Sequence, residues 1–190
     1  MIAEQFKGIL KTKLDEKRYY HSLCVADEAY RLAKKYGADA DKMYLAGLLH
    51  DITKNLTDNE QLQMFSRYGI ILSDVEGKSK AVWHGYTGSL YLENEFGITD
   101  SDILTSIKYH STGRADMTLA QKIIYIADLT SKDRDYPDVE VTRELVDKGL
   151  DRAILYVLKF TLKNLSSKGL VIHPDTLDAY NYLIINSEDL

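Results

Sequence analysis

Apolar residues recur every three to four positions along nearly the whole chain, in windows of ten to twenty residues separated by short polar breaks. That period marks amphipathic helices, and the strict alternation of a half-buried strand is almost absent. Residues 17–36 place Val25, Ala29, Leu32 and Tyr36 on one face and stop at Gly37, a residue suited to the left-handed turn that closes a helix. His21 lies on that same apolar face. Asp39 or Asp41 caps the next helix, whose Leu45, Leu48 and Leu49 run directly into His50 and Asp51 before Lys54 and Asn55 end it. Thr57 and Glu60 have the spacing of a capping box and open a helix that stops at Gly69. A further helix is predicted from near Ser79 through His84 to Phe96 and Gly97, with Gly85 and Gly88 leaving room beside His84. Between residues 100 and 110, Ile103, Ile107 and His110 share a face at i, i+4 and i+7, and the turn Ser111-Thr112-Gly113 follows.

The second half of the chain continues in the same way. The run Ile123-Ile124-Tyr125-Ile126-Ala127 is apolar enough to be buried on most sides, and it delivers a carboxylate, Asp128, into that environment. A polar loop spans Ser131 to Asp138, followed by helical stretches from Val139 to Lys148 and from Leu150 to about Ser166. Gly169 to Pro174 lead into a last helix with Pro174 in its first turn. No repeat, low-complexity tract or linker interrupts the pattern. The expectation is an all-α, single-domain helical bundle over residues 1–190.

Composition narrows the function. A net charge of -5 argues against a general surface for nucleic-acid polymers, which needs a basic stripe, although local basic residues suffice for a small polyphosphate. The single cysteine, Cys24, excludes an internal disulfide and a thiolate-rich zinc site, and it reads as core filler. Glu4 and Lys7 interrupt the apolar N-terminal stretch, so it reads as neither signal peptide nor membrane span, and the expected location is cytoplasmic.

Against that background the histidines stand out. Four of five, with two aspartates, follow the order H…HD…H…H…D at His21, His50, Asp51, His84, His110 and Asp128. Each histidine alone reads as a hydrogen-bonded core residue; their shared placement on buried faces points to a metal site. Imidazole and carboxylate without thiolate suit divalent iron, manganese, cobalt or zinc at a centre that keeps positions open for water and a phosphate oxygen. A buried carboxylate such as Asp128 needs a cation or a proton beside it. Lys34-Lys35 and Asp133-Arg134-Asp135 read as solvated charge, with Arg134 alone a phosphate-binding candidate. Tyrosines such as Tyr19, Tyr20, Tyr125 and Tyr182 read as packing, with stacking on a base as the alternative.

The motifs R-Y-Y-H-S-L at Arg18 to Leu23, A-G-L-L-H-D-I-T-K at Ala46 to Lys54, W-H-G at Trp83 to Gly85, Y-H-S-T-G at Tyr109 to Gly113, Y-I-A-D at Tyr125 to Asp128 and I-H-P at Ile172 to Pro174 cover nearly the whole chain. In order and context they resemble the HD-domain metal phosphohydrolases and, within them, the YqeK-type symmetrical dinucleoside tetraphosphate hydrolases. The resemblance implies a divalent metal, most often iron, held by His21, His50, Asp51 and Asp128. One ion is favoured; binuclear HD phosphodiesterases use the same order for two, with the central aspartate bridging. It also implies catalytic roles for Asp51, His84 and His110, with His84 and His110 left to the substrate or to a second metal. Substrate contacts are expected from Arg18, His21, Lys54, His84, His110, Ser111, Arg134 and the segment Gly169, Leu170, Val171, Ile172, His173 and Pro174. The implied reaction is hydrolysis of diadenosine tetraphosphate to two ADP, and the implied ligand is a dinucleoside polyphosphate or an ADP- or GDP-type nucleotide. An HD-type 5'-nucleotidase acting on nucleoside monophosphates and a non-catalytic nucleotide sensor are the alternatives, and a homodimer is left open.

Overall fold

A computed structural model describes residues 2–186, all helix, turn or loop with no strand among them. Residues 1 and 187–190, the ends of the expected 1–190 domain, lie outside the described residues. Eleven α-helices follow one another: α1 (Ile2–Lys13), α2 (Glu16–Tyr36), α3 (Ala40–Leu49), α4 (Asp58–Arg67), α5 (Asp74–Lys78), α6 (Trp83–Phe96), α7 (Ser101–Tyr109), α8 (Leu119–Thr130), α9 (Val139–Lys148), α10 (Leu150–Ser167) and α11 (Pro174–Asn186).

Local signals set most of the boundaries. Asp15 caps α2 by accepting from the Arg18 amide, and Gly37 closes it in the left-handed region at φ 79°. Thr57 and Glu60 form the expected capping box on α4, as Thr118 and Gln121 do on α8; a cap of this kind contributes about 1 kcal/mol. Two expected boundaries move. The α-helix that was to carry His50 and Asp51 ends at Leu49, and residues 50–56 continue as tighter turns in which the amides of Ile52, Lys54 and Leu56 bond the carbonyls of Leu49, Asp51 and Thr53. The helix expected from Ser79 starts at Trp83 after a single 3-10 turn, Lys80–Val82, because Ser79 is engaged in ending the short helix α5.

The core lies where α2, α3, α7, α8 and α10 meet. Leu32, Leu48, Leu49, Ile107, Ile123, Ile124, Ile126 and Leu158 are fully buried there, and Cys24 joins them as filler. α2 packs most extensively on α3, and Gly47 is what allows it: a Cβ there would stand 3.0 Å from both the Ala26 Cα and the Val25 carbonyl oxygen. Gly85 does the same between α6 and α7, where a Cβ would come within 2.8 Å of the Lys108 carbonyl oxygen. These close approaches seat α3 on α2 and α6 on α7, and α8 packs across α2, α3 and α7, so the ends of α3, α7 and α8, the start of α6 and the first turns of α2 reach one place.

Candidate metal centre

His50 and His110 are built alike. Each sits just past the end of its helix, α3 or α7, and turns Nδ1 back to the carbonyl three residues earlier, Gly47 or Ile107, at 2.7 Å in both cases. A carbonyl only accepts, so Nδ1 carries a proton and Nε2 is the ring nitrogen left to face the interior. Both imidazoles thereby cap a helix C-terminus and present Nε2 inward. His21, in the second turn of α2, is fixed by a carboxylate instead: Nδ1 lies 2.8 Å from Asp133 Oδ2 and Nε2 lies 2.8 Å from Asp128 Oδ1. His84 enters from the first turn of α6, whose position is held by a hydrogen bond of 2.9 Å from the Thr53 hydroxyl to the His84 carbonyl.

The rings form one continuous group, with centroids 5.2 Å apart for His21–His50 and 4.9 Å apart for both His50–His110 and His84–His110. Asp51 stands in the middle. Its Oδ2 is 3.5 Å from His50 Nε2, and its Oδ1 is 3.1 Å from His84 Nε2 and 3.6 Å from His110 Nε2. Asp128, in the last turn of α8, places Oδ1 3.7 Å from His50 Nε2. Cations ring the group: Arg18 donates to Asp51 Oδ2 at 3.2 Å, Arg134 pairs with Asp128, and Lys54 Nζ lies 3.0 Å from His84 Nε2. The Ser111 hydroxyl is 3.1 Å from His84 Nε2 and 3.0 Å from His110 Nε2.

Protonation follows from burial and neighbours. Burial pushes His50 and His84 down to about 4, so both are neutral at pH 7. Burial opposes the charge on Asp51, but the imidazoles of His50, His110 and His84 outweigh it and hold the carboxyl well below the usual carboxylate range. For Asp128 the same opposition from burial is outweighed by His21 and Arg134. Burial also opposes charging of His21, yet its hydrogen bond to Asp128 raises it.

This donor set fits a divalent ion. Two buried polar atoms, His50 Nε2 and Asp51 Oδ1, make no well-formed hydrogen bond, although His84 Nε2 stands 3.1 Å from the Asp51 oxygen, and a cation relieves that costly state. Three sets of potential ligand atoms lie within 4.8 Å of one another: His21, His50 and Asp51; His50, His110 and Asp128; and Asp51, His84 and His110. Neutral imidazoles with ionised carboxylates are the forms a metal takes up.

A family model for the HD domain matches residues 18–133, which enclose all six clustered residues. The chain belongs to the HD-domain family. It is 36% identical to the symmetrical bis(5'-nucleosyl)-tetraphosphatase of Staphylococcus aureus, covering 99% of this chain and 97% of that one. It is 34% identical to the protein of the same name from Bacillus subtilis, over 98% of this chain and 100% of that one. The crystal structure of a predicted HD superfamily hydrolase involved in NAD metabolism from Clostridium acetobutylicum is 37% identical, with a TM-score of 0.94 over 97% of both chains.

In this HD-domain protein, Arg18, His21, His50, Asp51, Lys54, His84, His110, Ser111, Asp128 and Arg134 all come together. The segment from Gly169 to Pro174 reaches the neighbourhood of that group through His173, which shares a cleft with Trp83, Tyr109 and Thr112, the chain neighbours of His84, His110 and Ser111. The amides of Gly169 and Leu170 close α10 on the carbonyls of Ser166 and Leu165, Leu170 and Val171 are exposed, and the cleft that His173 lines has a volume of about 250 Å³. Tyr125 is core, not a stacking surface.

Ser131, Asp133 and Arg143, to which the sequence alone assigns no role, support the site. Asp133, expected in solvated charge, orients His21 and is itself held by the Ser131 hydroxyl at 2.7 Å. Arg143 of α9 donates to the carbonyls of Thr130, Ser131 and Arg134, capping α8 and pinning the loop that carries Asp133 and Arg134. The one available signal was the closeness of Asp133 to Asp128 in the chain.

Proposed function

We propose that this HD-domain protein is a metal-dependent hydrolase that cuts dinucleoside tetraphosphates symmetrically, taking diadenosine tetraphosphate to two ADP. The observation that carries the reading is the pair of buried atoms without a well-formed hydrogen bond, His50 Nε2 and Asp51 Oδ1, at the centre of a cluster edged by Arg18, Lys54 and Arg134. It is the arrangement that a cation and an anionic phosphate chain together would complete. The similarity to symmetrical tetraphosphatases over nearly the whole chain supports the choice of substrate.

In this reading His21, His50, Asp51 and Asp128 hold one divalent ion, iron by preference and otherwise manganese or cobalt. The bound ion supplies Lewis-acid polarisation of a phosphate oxygen and of the attacking water. His84 and His110, with Arg18, Lys54, Ser111 and Arg134, grip the polyphosphate and neutralise the charge that develops as the central anhydride breaks. The segment Gly169 to Pro174, beside the cleft that His173 lines, holds one nucleoside half. The protein acts in the cytoplasm on a small nucleotide, not on a nucleic-acid polymer or a membrane. Among the described residues no helix is long and apolar enough to cross one.

A two-ion reading has one observation in its favour: the two oxygens of Asp51 face different histidines, His50 on one side and His84 with His110 on the other. Lys54 does not separate the two readings: its ammonium stands 3.0 Å from His84 Nε2, and the Arg134 guanidinium stands almost as close, 3.2 Å, to His21 Nε2. Elemental analysis of His84→Ala and His110→Ala decides: retention of one full equivalent supports the single ion, and loss of one of two refutes it. For the reaction itself, chromatography of products from diadenosine tetraphosphate should show two ADP. AMP with ATP would overturn the symmetrical cut. Nucleoside plus phosphate from a nucleoside monophosphate would mark a 5'-nucleotidase, and no product a sensor.

A further inference from the structure

A substrate cut at its centre leaves an equal nucleoside diphosphate on each side of the broken P–O bond, so one nucleoside pocket cannot serve both halves. The cleft lined by Trp83, Tyr109 and His173 lies on the side of His84 and His110. On the opposite side, facing His21, a second cleft of about 330 Å³ is lined by Lys17, Arg18, Arg134, Asp135 and Tyr136. Tyr136 is also a wall of an adjoining cavity of about 240 Å³, made with Leu129, Pro137, Tyr156, Val157 and Phe160.

From the metal centre outward, the side chains come in the order of a nucleotide's own parts. Arg18 and Arg134, already paired at one end with Asp51 and Asp128, meet the phosphates first, with exposed Lys17 beside them. Asp135 is an exposed carboxylate at the same cleft, suited to accept from ribose hydroxyls. Beyond Tyr136 the lining is apolar and aromatic. Tyr156 and Phe160 stand one turn apart on α10 and so share a face, and Phe160 is 57% exposed, an unusual state for a phenylalanine with a cavity at its side. The catalytic cluster makes no use of Tyr136, Tyr156 or Phe160.

We propose that the cleft of Lys17, Arg18, Arg134 and Asp135, continued past Tyr136 into the cavity of Tyr156 and Phe160, binds the second nucleoside half of the dinucleoside polyphosphate, with its base against those aromatic rings. This rests on the symmetrical hydrolysis argued above. It explains how the protein places the central anhydride at the metal: a substrate held at both ends has only its middle phosphates at the cluster.

The test uses the full chain loaded with metal and two probes, ADP and a diadenosine tetraphosphate analogue whose central bridging oxygen is a methylene. Titration calorimetry compares the wild type with Phe160→Ala and Tyr136→Leu. Both variants should weaken the two-nucleoside analogue about tenfold more than they weaken ADP, the lower end of what a base stacked on an aromatic ring contributes. Phe160 is exposed, so its variant keeps the fold and carries the test if Tyr136→Leu is unstable. Equal weakening of both probes, or no change in either, overturns the subsite. If the wild type produces two ADP while the variants keep full affinity for the analogue, the subsite falls and the reaction stands; if the wild type produces no ADP, both fall.

Discussion

Replacing Asp133 is expected to weaken metal binding although its carboxylate points away from the centre. Its Oδ2 lies 2.8 Å from His21 Nδ1 and its Oδ1 accepts from the Ser131 hydroxyl at 2.7 Å, so the carboxylate fixes both the ring plane and the proton of His21. With Nδ1 so engaged, Nε2 is the atom turned to Asp128. Removing a partner of this kind typically lowers metal affinity by about 10- to 100-fold, equivalent to about 1.4 to 2.8 kcal/mol. Asp133→Asn keeps an acceptor oxygen but loses the charge, which places it near the tenfold end. Asp133→Ala leaves a buried N–H unbonded and belongs near the hundredfold end. Competition against a chromophoric chelator under anaerobic conditions measures the affinities. A double-mutant cycle isolates the cause: in a His21→Ala background, Asp133→Ala should cost almost nothing further. If Asp133→Ala costs as much without His21 as with it, the carboxylate acts through the loop and not through the imidazole, and the reasoning is wrong.

Three further outcomes are expected. Asp51→Ala should lose the ion and the activity together, because that carboxylate faces three of the four histidines; metal retained at wild-type affinity in elemental analysis would remove it from the ligand set. Gly85→Ala forces a Cβ to within 2.8 Å of a backbone oxygen of α7 and should cost about 1 to 3 kcal/mol, a fall in Tm of roughly 2 to 12 °C; Gly8→Ala in α1, where an added Cβ meets nothing within 4 Å, should be neutral or stabilising, and equal melting of the two would refute the packing argument. Metal affinity should fall with pH through the raised pKa of His21, since proton and ion compete for Nε2, while His50, pushed down to about 4, adds nothing near neutrality. Calorimetry in two buffers of different ionisation enthalpy measures the released proton, and a release that persists in His21→Ala would contradict this assignment.

The sequence by itself determined the helices and the order of the chemistry. The apolar face of α2, the capping box at Thr57 and Glu60, the buried run before Asp128 and Pro174 at the start of α11 are each governed by residues within about four positions, so their energetics can be read along the chain. The ordered histidines and aspartates were legible for the same reason, each by its place on a buried face. Tertiary structure alone decided that α3 stops at Leu49 with His50 folded back on the Gly47 carbonyl, that Asp133 orients an imidazole 112 residues earlier, and that Arg143 ties the intervening loop to the end of α8. It also brought Tyr136, Tyr156 and Phe160 to the lining of one cavity. Charge next to charge in the sequence looks like solvated surface. Whether a given carboxylate meets water or an imidazole depends on close approaches such as those at Gly47 and Gly85, which belong to pairs of helices and to no single segment.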